Sequence, residues 1–379
     1  MASAPLPLPT RWVVGLLGVK LLCALGYAYL YFHLRPGTSD VWGYYDQSRQ
    51  LAAMIHSPAD FFNYGLPTHG TWSYWMHYNA WNNLKENLYV LIILGMNLVT
   101  LNNPYADTVI YAVLTFTGWL RLIRLFRALY PGRAPGWYLV PFLLPTFLFC
   151  YSGLHSDGLI FALLGWFVWD AYRLFVATGP LPAHGSRGRP PVWRFVLICL
   201  LFACFKAFFL VLLLILVLSW RLAQRRPAYG WICLAVLGAG LLVVTIPEQV
   251  SRQHEYLAPY ALKPGNMTTQ QPLTAGAYLA RLPEAAWTGL FRPTPWAGGK
   301  YWVSGLELWL LWLLFACGFV RRLRRSFFEA SWAWLTVTFC LLIGYTIPVL
   351  GAAVRYRALI FPLVVALCLL PLVRARKAL

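Results

Sequence analysis

The feature that most constrains this chain is a rhythm of apolar runs near the length of a bilayer core, about 20 residues, punctuated by short arginine clusters. Trp12 to Leu34, Tyr105 to Leu125, Gly158 to Val176 and Phe195 to Trp220 are such runs. Apolar residues make up 60% of the chain and charged residues 11%, which excludes an ordinary soluble domain. The alternation of amphipathic strands and helices that a soluble α/β enzyme needs is absent.

The net charge of +19 is mostly arginine and falls between apolar runs, not along one amphipathic face. That pattern reads as membrane topology, and no nucleic-acid partner is expected. Basic residues concentrate at 121–133, 187–194, 221–226, 321–325 and the C-terminal tail. The positive-inside rule then puts both termini in the cytoplasm of a multi-pass integral membrane protein. All eight cysteines lie inside apolar runs, without a CxxC or Cys/His cluster, and read as small core residues.

Taken in order, the first span (Trp12 to Leu34) carries Lys20, which snorkels or faces the bundle. A first external loop, 35–103, follows. Val41, Tyr44, Tyr45, Ser48, Leu51, Ala52 and Ile55 recur at helical spacing, which predicts an interfacial amphipathic helix over Asp40 to Ile55. Trp72, Tyr74, Trp75, Tyr78 and Trp81 suit the headgroup zone. Leu88 to Leu101 reads as a short interfacial or re-entrant helix. Tyr105 to Leu125, Trp137 to Leu154 and Gly158 to Val176 are spans two to four. Phe195 to Trp220 is interrupted at Lys206, with arginines on both flanks, and reads as a hairpin of two short helices tipped by Lys206; a single long helix is the competing reading. Trp231 to Ile246 precedes a second external loop, 247–304. Spans over Gly305 to Val320, Ser331 to Ala353 and Ala358 to Val373 complete an all-α, single transmembrane domain of about ten membrane segments.

Acidic residues number only 12, so a carboxylate at the membrane surface is informative. Asp40 opens the first external loop and can take a proton from an attacking hydroxyl, or simply cap the amphipathic helix. Asp46 lies about 120° further round that helix and is the second choice. Arg355 and Arg357, flanking Tyr356, interrupt an apolar stretch on the face expected to be poor in positive charge, where a lipid phosphate is a fitting partner. Lys206 and Arg292 are further phosphate candidates. Tyr44, His155, Asp157, Trp296 and Tyr356 are candidate substrate-lining residues. His155 and Asp157 are an incomplete metal pair, and Ser156 or Asp157 can cap the following helix.

Taken together, these stretches resemble the GT-C superfamily of polytopic, lipid-sugar-dependent glycosyltransferases. Asp40 matches the early-loop aspartate of that family. Ser152-Gly153-Leu154-His155-Ser156-Asp157-Gly158-Leu159 is similar to its SSGxHKDGL stretch, with Ser156 in place of the lysine. Phe291-Arg292-Pro293-Thr294-Pro295-Trp296 followed by Gly305-Leu306-Glu307 resembles FRPFPWE…ALE, without the acid after the tryptophan. Arg355-Tyr356-Arg357-Ala358-Leu359-Ile360-Phe361-Pro362 resembles RYRLPxxP. The resemblance implies inverting transfer of a sugar from a polyprenyl-phosphate or diphosphate donor to a glycan, lipid or protein acceptor. In it Asp40 is general base, and Arg355, Arg357, Lys206 and Arg292 hold the phosphate. No cofactor is fixed, and a divalent cation is compatible with the family. A lipid-linked-sugar flippase is the alternative, as is a polysaccharide polymerase or ligase.

Overall fold

The computed structural model describes residues 8–36, 40–60, 80–176, 190–241, 243, 276, 280–296, 299–319, 327–347 and 349–373, with the side chains of 80–87 excepted. The aromatic cluster from Trp72 to Tyr78, Arg187 and Arg189, most of the second external loop, the arginines of 321–325 and the basic tail therefore lie outside the described residues. Those described are helical, without a strand. Five helices among them are long and apolar enough to cross a membrane, or six if one bent pair is a single span, consistent with a helical membrane protein.

The chain divides into two compact units, each assembled from separate stretches of sequence. The first comprises Met1–Leu125, Leu148–Asp170 and Ala183–Leu210; the second comprises Phe126–Phe147, Ala171–Pro182 and Val211–Leu379.

In the first unit, α1 (Thr10–Ala28) continues through a π-helical turn, Tyr29–Leu34. Then come α2 (Asp40–Met54), α3 (Ala80–Thr100), α4 (Pro104–Leu129), α5 (Pro145–Ser152), α6 (Ser156–Ala171) and α7 (Val192–Ala223), of which α4 from Phe126, α5 up to Phe147, α6 at Ala171 and α7 from Val211 belong to the second unit. The bounds of α2 follow the predicted amphipathic helix, and its buried stripe is Val41, Tyr45 and Ser48. That stripe meets α3 through polar as well as apolar groups. Asn97 Nδ2 donates to Ser48 Oγ at 2.7 Å, and Tyr45 Oη donates to the Asn102 carbonyl at 2.5 Å. Burial, with the Asp107 charge second, pushes the Tyr45 phenol above its ordinary value, so it remains a donor at neutral pH.

Helices α4 and α6 meet at glycine. A Cβ on Gly118 would lie 2.3 Å from Ala162 Cα, and one on Gly165 would lie 2.2 Å from the Gly118 carbonyl oxygen. Small residues at such a crossing let two backbones touch, the usual means of tight packing where no hydrophobic effect separates helix from lipid. Tyr111 bonds Leu159, Gly118 meets Ala162, and Arg121 covers Trp166. Because these pairs advance together, α4 and α6 run in the same direction.

In the second unit, α8 (Pro227–Leu241), α9 (Leu282–Phe291), α10 (Trp302–Phe319), α11 (Phe327–Thr346), α12 (Leu350–Ala358) and α13 (Phe361–Leu369) follow in order. The tightest pair is α9 with α11. A Cβ on Gly289 would come within 1.9 Å of the Cys340 carbonyl oxygen, and one on Gly344 within 2.0 Å of the Ala285 carbonyl oxygen.

Several boundaries differ from the expectation, and proline accounts for most of them. Trp137 to Leu154 is not one span: 3₁₀ turns at Pro135–Tyr138 and Val140–Phe142 precede the eight residues of α5. Pro141 and Pro145 each remove a backbone donor that a continuous helix over Trp137 to Leu154 would need. The expected penultimate span ends at Thr346, two residues before Pro348, and α12 begins beyond it. Arg355 and Arg357 therefore lie on a helix and not in a connection. The last span begins at Phe361 rather than Ala358, and α12 and α13 meet at a 49° bend. At Lys206 the backbone leaves helical geometry (φ −152°, ψ 63°), dividing α7 where the sequence reading put a break. The rings of Phe202 and Phe209 meet 6.0 Å apart across it.

Candidate functional site

In the first unit, α2 and the turn between α5 and α6 bring together three of the residues picked from sequence. Asp40 stands in the first turn of α2, where the helix dipole favours a carboxylate, and its side chain is 58% exposed. Its Oδ2 is 3.7 Å from Nε2 of His155, which is only 3% exposed. On the other edge of the imidazole, Nδ1 is 3.2 Å from Oδ2 of the buried Asp157. The Asp157 backbone N–H also points at Nδ1, at 3.1 Å. A solvent-facing acid thus backs onto a buried histidine that a second, buried acid holds from behind.

The turn carrying His155 is fixed from three sides. Lys20, wholly buried in α1, donates to the Tyr151 carbonyl at 2.9 Å and lies 4.3 Å over the Trp119 ring. Tyr151 is in the last turn of α5, whose carbonyls lack intrahelical partners, so the lysine supplies one. Of the two expectations for Lys20, the inward-facing one holds. Gly153 packs flat on Tyr27, where a Cβ would come within 2.3 Å of the ring. Tyr111 Oη donates to the His155 carbonyl and accepts from the Leu159 N–H at 2.9 Å. One hydroxyl thereby joins the two sides of the turn.

Tyr44 belongs to the same neighbourhood. Its ring meets Tyr89 edge-on at 5.2 Å, and Tyr89 meets Tyr111 in the same way at 6.1 Å. Asp46 points elsewhere on α2 and accepts from Gln50 Nε2 at 2.8 Å. Lys206, half-buried, sits at the break in α7. Tyr89, Tyr111 and Lys20 were not among the candidate site residues. Lys20 carried a signal, as a charge in an apolar run; a tyrosine in an apolar run carries none.

At the other end of α6 the chemistry changes. Arg121 stacks over Trp166 at 3.8 Å and Arg194 over the same ring at 5.6 Å. Arg194 also holds the buried Asp170 through two hydrogen bonds, Nε to Oδ2 at 2.8 Å and an Nη to Oδ1 at 2.6 Å. From His155 to Trp166 is about 16 Å along the helix axis. The carboxylate–histidine cluster and the arginine–tryptophan cluster therefore occupy opposite ends of the α4–α6 pair.

In the second unit, the candidates of the FRPTPW and RYR stretches build a helix terminus. The last four carbonyls of α9 have no partners within the helix. Arg357, 1% exposed, donates to those of Thr288 (3.4 Å) and Gly289 (2.8 Å), and also to that of Ala353 (3.2 Å). Trp312 Nε1 donates to the Leu290 carbonyl, and Trp309 Nε1 to that of Phe291 at 3.2 Å. Pro293 then follows Arg292 through a cis peptide bond. Arg292 is exposed, and Trp296, 70% exposed, rests on Trp309 at 5.5 Å. Arg355 is half-buried and stacks over Tyr356 at 5.4 Å. The two arginines of the RYR stretch therefore differ: one is a buried cap on α9, the other lies nearer the surface.

Among the described residues, no group of three or more His, Cys, Asp or Glu side chains is placed to hold a metal ion. Asp40 and Asp157 face opposite nitrogens of His155, so the three do not point at one centre. Comparison with protein-family models, with curated proteins and with solved structures finds no match.

Proposed function

We propose that this chain is a membrane-embedded glycosyltransferase of the GT-C type. It moves a sugar from a polyprenyl-phosphate or diphosphate donor to a hydroxyl of a glycan, lipid or protein at the external face. The observation that carries the reading is Asp40: an exposed carboxylate against a buried His155–Asp157 pair, at the end of α4 and α6 opposite the Arg121–Trp166–Arg194 cluster. By the positive-inside rule the arginine end is cytoplasmic and Asp40 is external, with both termini inside. Asp40 takes the proton from the acceptor oxygen as that oxygen attacks the anomeric carbon, and the lipid phosphate leaves with the bonding electrons.

Arg355, Lys206 and Arg292 are the candidates to bind that phosphate and stabilise its charge. Arg357 enters as a support for α9, since its donors already serve three carbonyls. A divalent cation stays compatible with this chemistry. One feature favours a second reading, a lipid-linked-sugar flippase: helices broken at Lys206 and at the 49° bend are common at transporter sites.

The test uses the full chain in lipid nanodiscs. Undecaprenyl phosphate carrying radiolabelled glucose, mannose, galactose or arabinose is supplied in turn, with envelope glycans and glycolipids as acceptors. The reading requires donor consumption and a loss of about 100-fold or more in turnover for Asp40→Asn, the scale of a lost general base. Undiminished turnover in Asp40→Asn overturns it; lipid-sugar movement without transfer supports the flippase.

A further inference from the structure

We infer that Asp107 and Asn97 hold a monovalent cation of sodium's size and hardness where α2, α3 and α4 meet. The site lies in the first unit, apart from Asp40, and stands whether or not the chain transfers a sugar.

Asp107, in the first turn of α4, is fully buried, and Asn97 of α3 is 2% exposed. Each has one buried oxygen, Asp107 Oδ2 and Asn97 Oδ1, with no hydrogen-bond donor among the described residues. Burying such an oxygen costs free energy, and burying an uncompensated carboxylate costs more. The two residues share one neighbourhood. Thr100 Oγ1 donates to Asp107 Oδ1 at 2.6 Å. Asn97 is one turn before Thr100 on the same face of α3, about 5–6 Å away between Cβ atoms. Ser48 of α2 fixes the amide. Its hydroxyl donates to the Tyr45 carbonyl at 2.7 Å, so toward Asn97 it can only accept, and Asn97 Nδ2 supplies that hydrogen. The amide oxygen is left as the open acceptor. Arg49, the basic group beside Tyr45, is exposed.

A cation answers all of these features together. Carboxylate, amide and hydroxyl oxygens are the hard ligands that such ions take. The end of α3 is the negative end of its dipole and favours a cation, while the start of α4 favours Asp107 as a carboxylate. Sodium sites inside membrane proteins likewise use helix C-terminal ends. One carboxylate balances one positive charge, whereas a divalent ion would leave a surplus buried. The connection that sets this geometry is unusual. Leu101 and Asn102 are both left-handed (φ 56° and 60°), a conformation that disfavours leucine. Asn103 then caps α4, accepting from the Tyr105 and Ala106 N–H groups. The chain thus turns from α3 into α4 within three residues, and Asp107 meets the last turn of α3. Through Asn97 and Ser48 the ion braces α2, the helix that carries Asp40.

The experiment measures the ion itself. The full chain in nanodiscs is incubated with ²²Na⁺ and read by scintillation proximity. Binding should saturate at a single ion per chain and be displaced by unlabelled NaCl. It should survive choline chloride at equal ionic strength, which separates a site from screening. Asp107→Asn and Asn97→Leu should each weaken it about tenfold or more, at least the cost of losing a group that merely orients a metal ligand. Asp40→Asn should bind as the wild type does. In thermal unfolding, NaCl should raise the wild-type midpoint above that in choline chloride, because an ion that binds only the folded state stabilises it. In Asp107→Asn the two salts should give one midpoint. The wild-type measurements decide the matter even where a variant fails to fold. Absence of saturable ²²Na⁺ binding overturns the inference and leaves a proton on Asp107, bonded to Asn97, as the occupant. Full binding in folded Asp107→Asn, loss of binding in Asp40→Asn, or preferential displacement by CaCl₂ or MgCl₂ overturns it as well. Sodium bound without any sugar transfer overturns the glycosyltransferase reading and supports this site.

Discussion

Lys20 in α1 donates a 2.9 Å hydrogen bond to the carbonyl of Tyr151, a residue 131 positions later. This bond fastens the end of α5, four residues ahead of His155. Lys20→Met keeps the length of the side chain and removes the donor. The cost should be about 1–3 kcal/mol, the penalty for leaving a buried carbonyl unpaired. Thermal unfolding in nanodiscs should show a lower midpoint. Turnover should fall about tenfold or more, because His155 loses one of its three restraints, a loss worth about 1.4 kcal/mol in barrier height. Unchanged turnover would mean that the turn is held by Tyr27 and Tyr111 alone.

The Arg194–Asp170 pair is a second long connection, from α7 to the end of α6. Asp170 is fully buried, so Arg194→Met strands a carboxylate away from water. Breaking such a pair from one side costs about 3–5 kcal/mol. The double variant Arg194→Met, Asp170→Leu should recover most of that loss, since it removes both charges. Chemical unfolding of the two variants side by side reads the difference; equal destabilisation would place the energy in the Arg194–Trp166 stack instead.

Gly289 and Gly344 should tolerate no side chain. Each closes the α9–α11 contact, where an added Cβ meets a backbone carbonyl about 2 Å away. Because the obstacle is backbone, relief requires moving a whole helix, and overpacking of this kind costs about 1–3 kcal/mol or more. Gly289→Ala and Gly344→Ala should each lower the unfolding midpoint, while Gly43→Ala, where a Cβ meets open space, should not.

Arg357 and Arg355 should separate in kinetics. Arg357→Leu leaves the Thr288, Gly289 and Ala353 carbonyls short of a donor and should act on stability, with donor KM unchanged in whatever fraction stays folded. Arg355→Ala should leave the unfolding midpoint alone and raise donor KM about tenfold, the loss of a charge-assisted contact of about 1.5 kcal/mol. The reverse pattern would exchange their roles.

What could be read from sequence follows from where each kind of information resides. Hydrophobic length and 3.6-residue spacing are local, so the helical membrane character, α2 and the break at Lys206 were legible. Proline outweighs hydrophobic length at one place: Pro141 and Pro145 remove donors that a third span needs, and the stretch forms turns and the short α5. Arg355 and Arg357 looked equivalent because their neighbours in sequence are alike.

By itself, the sequence determined that this chain forms apolar helices, and it named Asp40, His155 and Asp157 separately, because scarcity of charge is visible in composition. Only the tertiary structure decided that Asp40 stands against the far edge of His155, that Lys20 and Tyr111 brace the turn, and that Arg357 closes α9. Those outcomes depend on which backbone groups lack a partner when distant helices pack. A carbonyl left at a helix end in an apolar surrounding draws whichever donor the packing brings near, and a one-dimensional sequence does not say which that is.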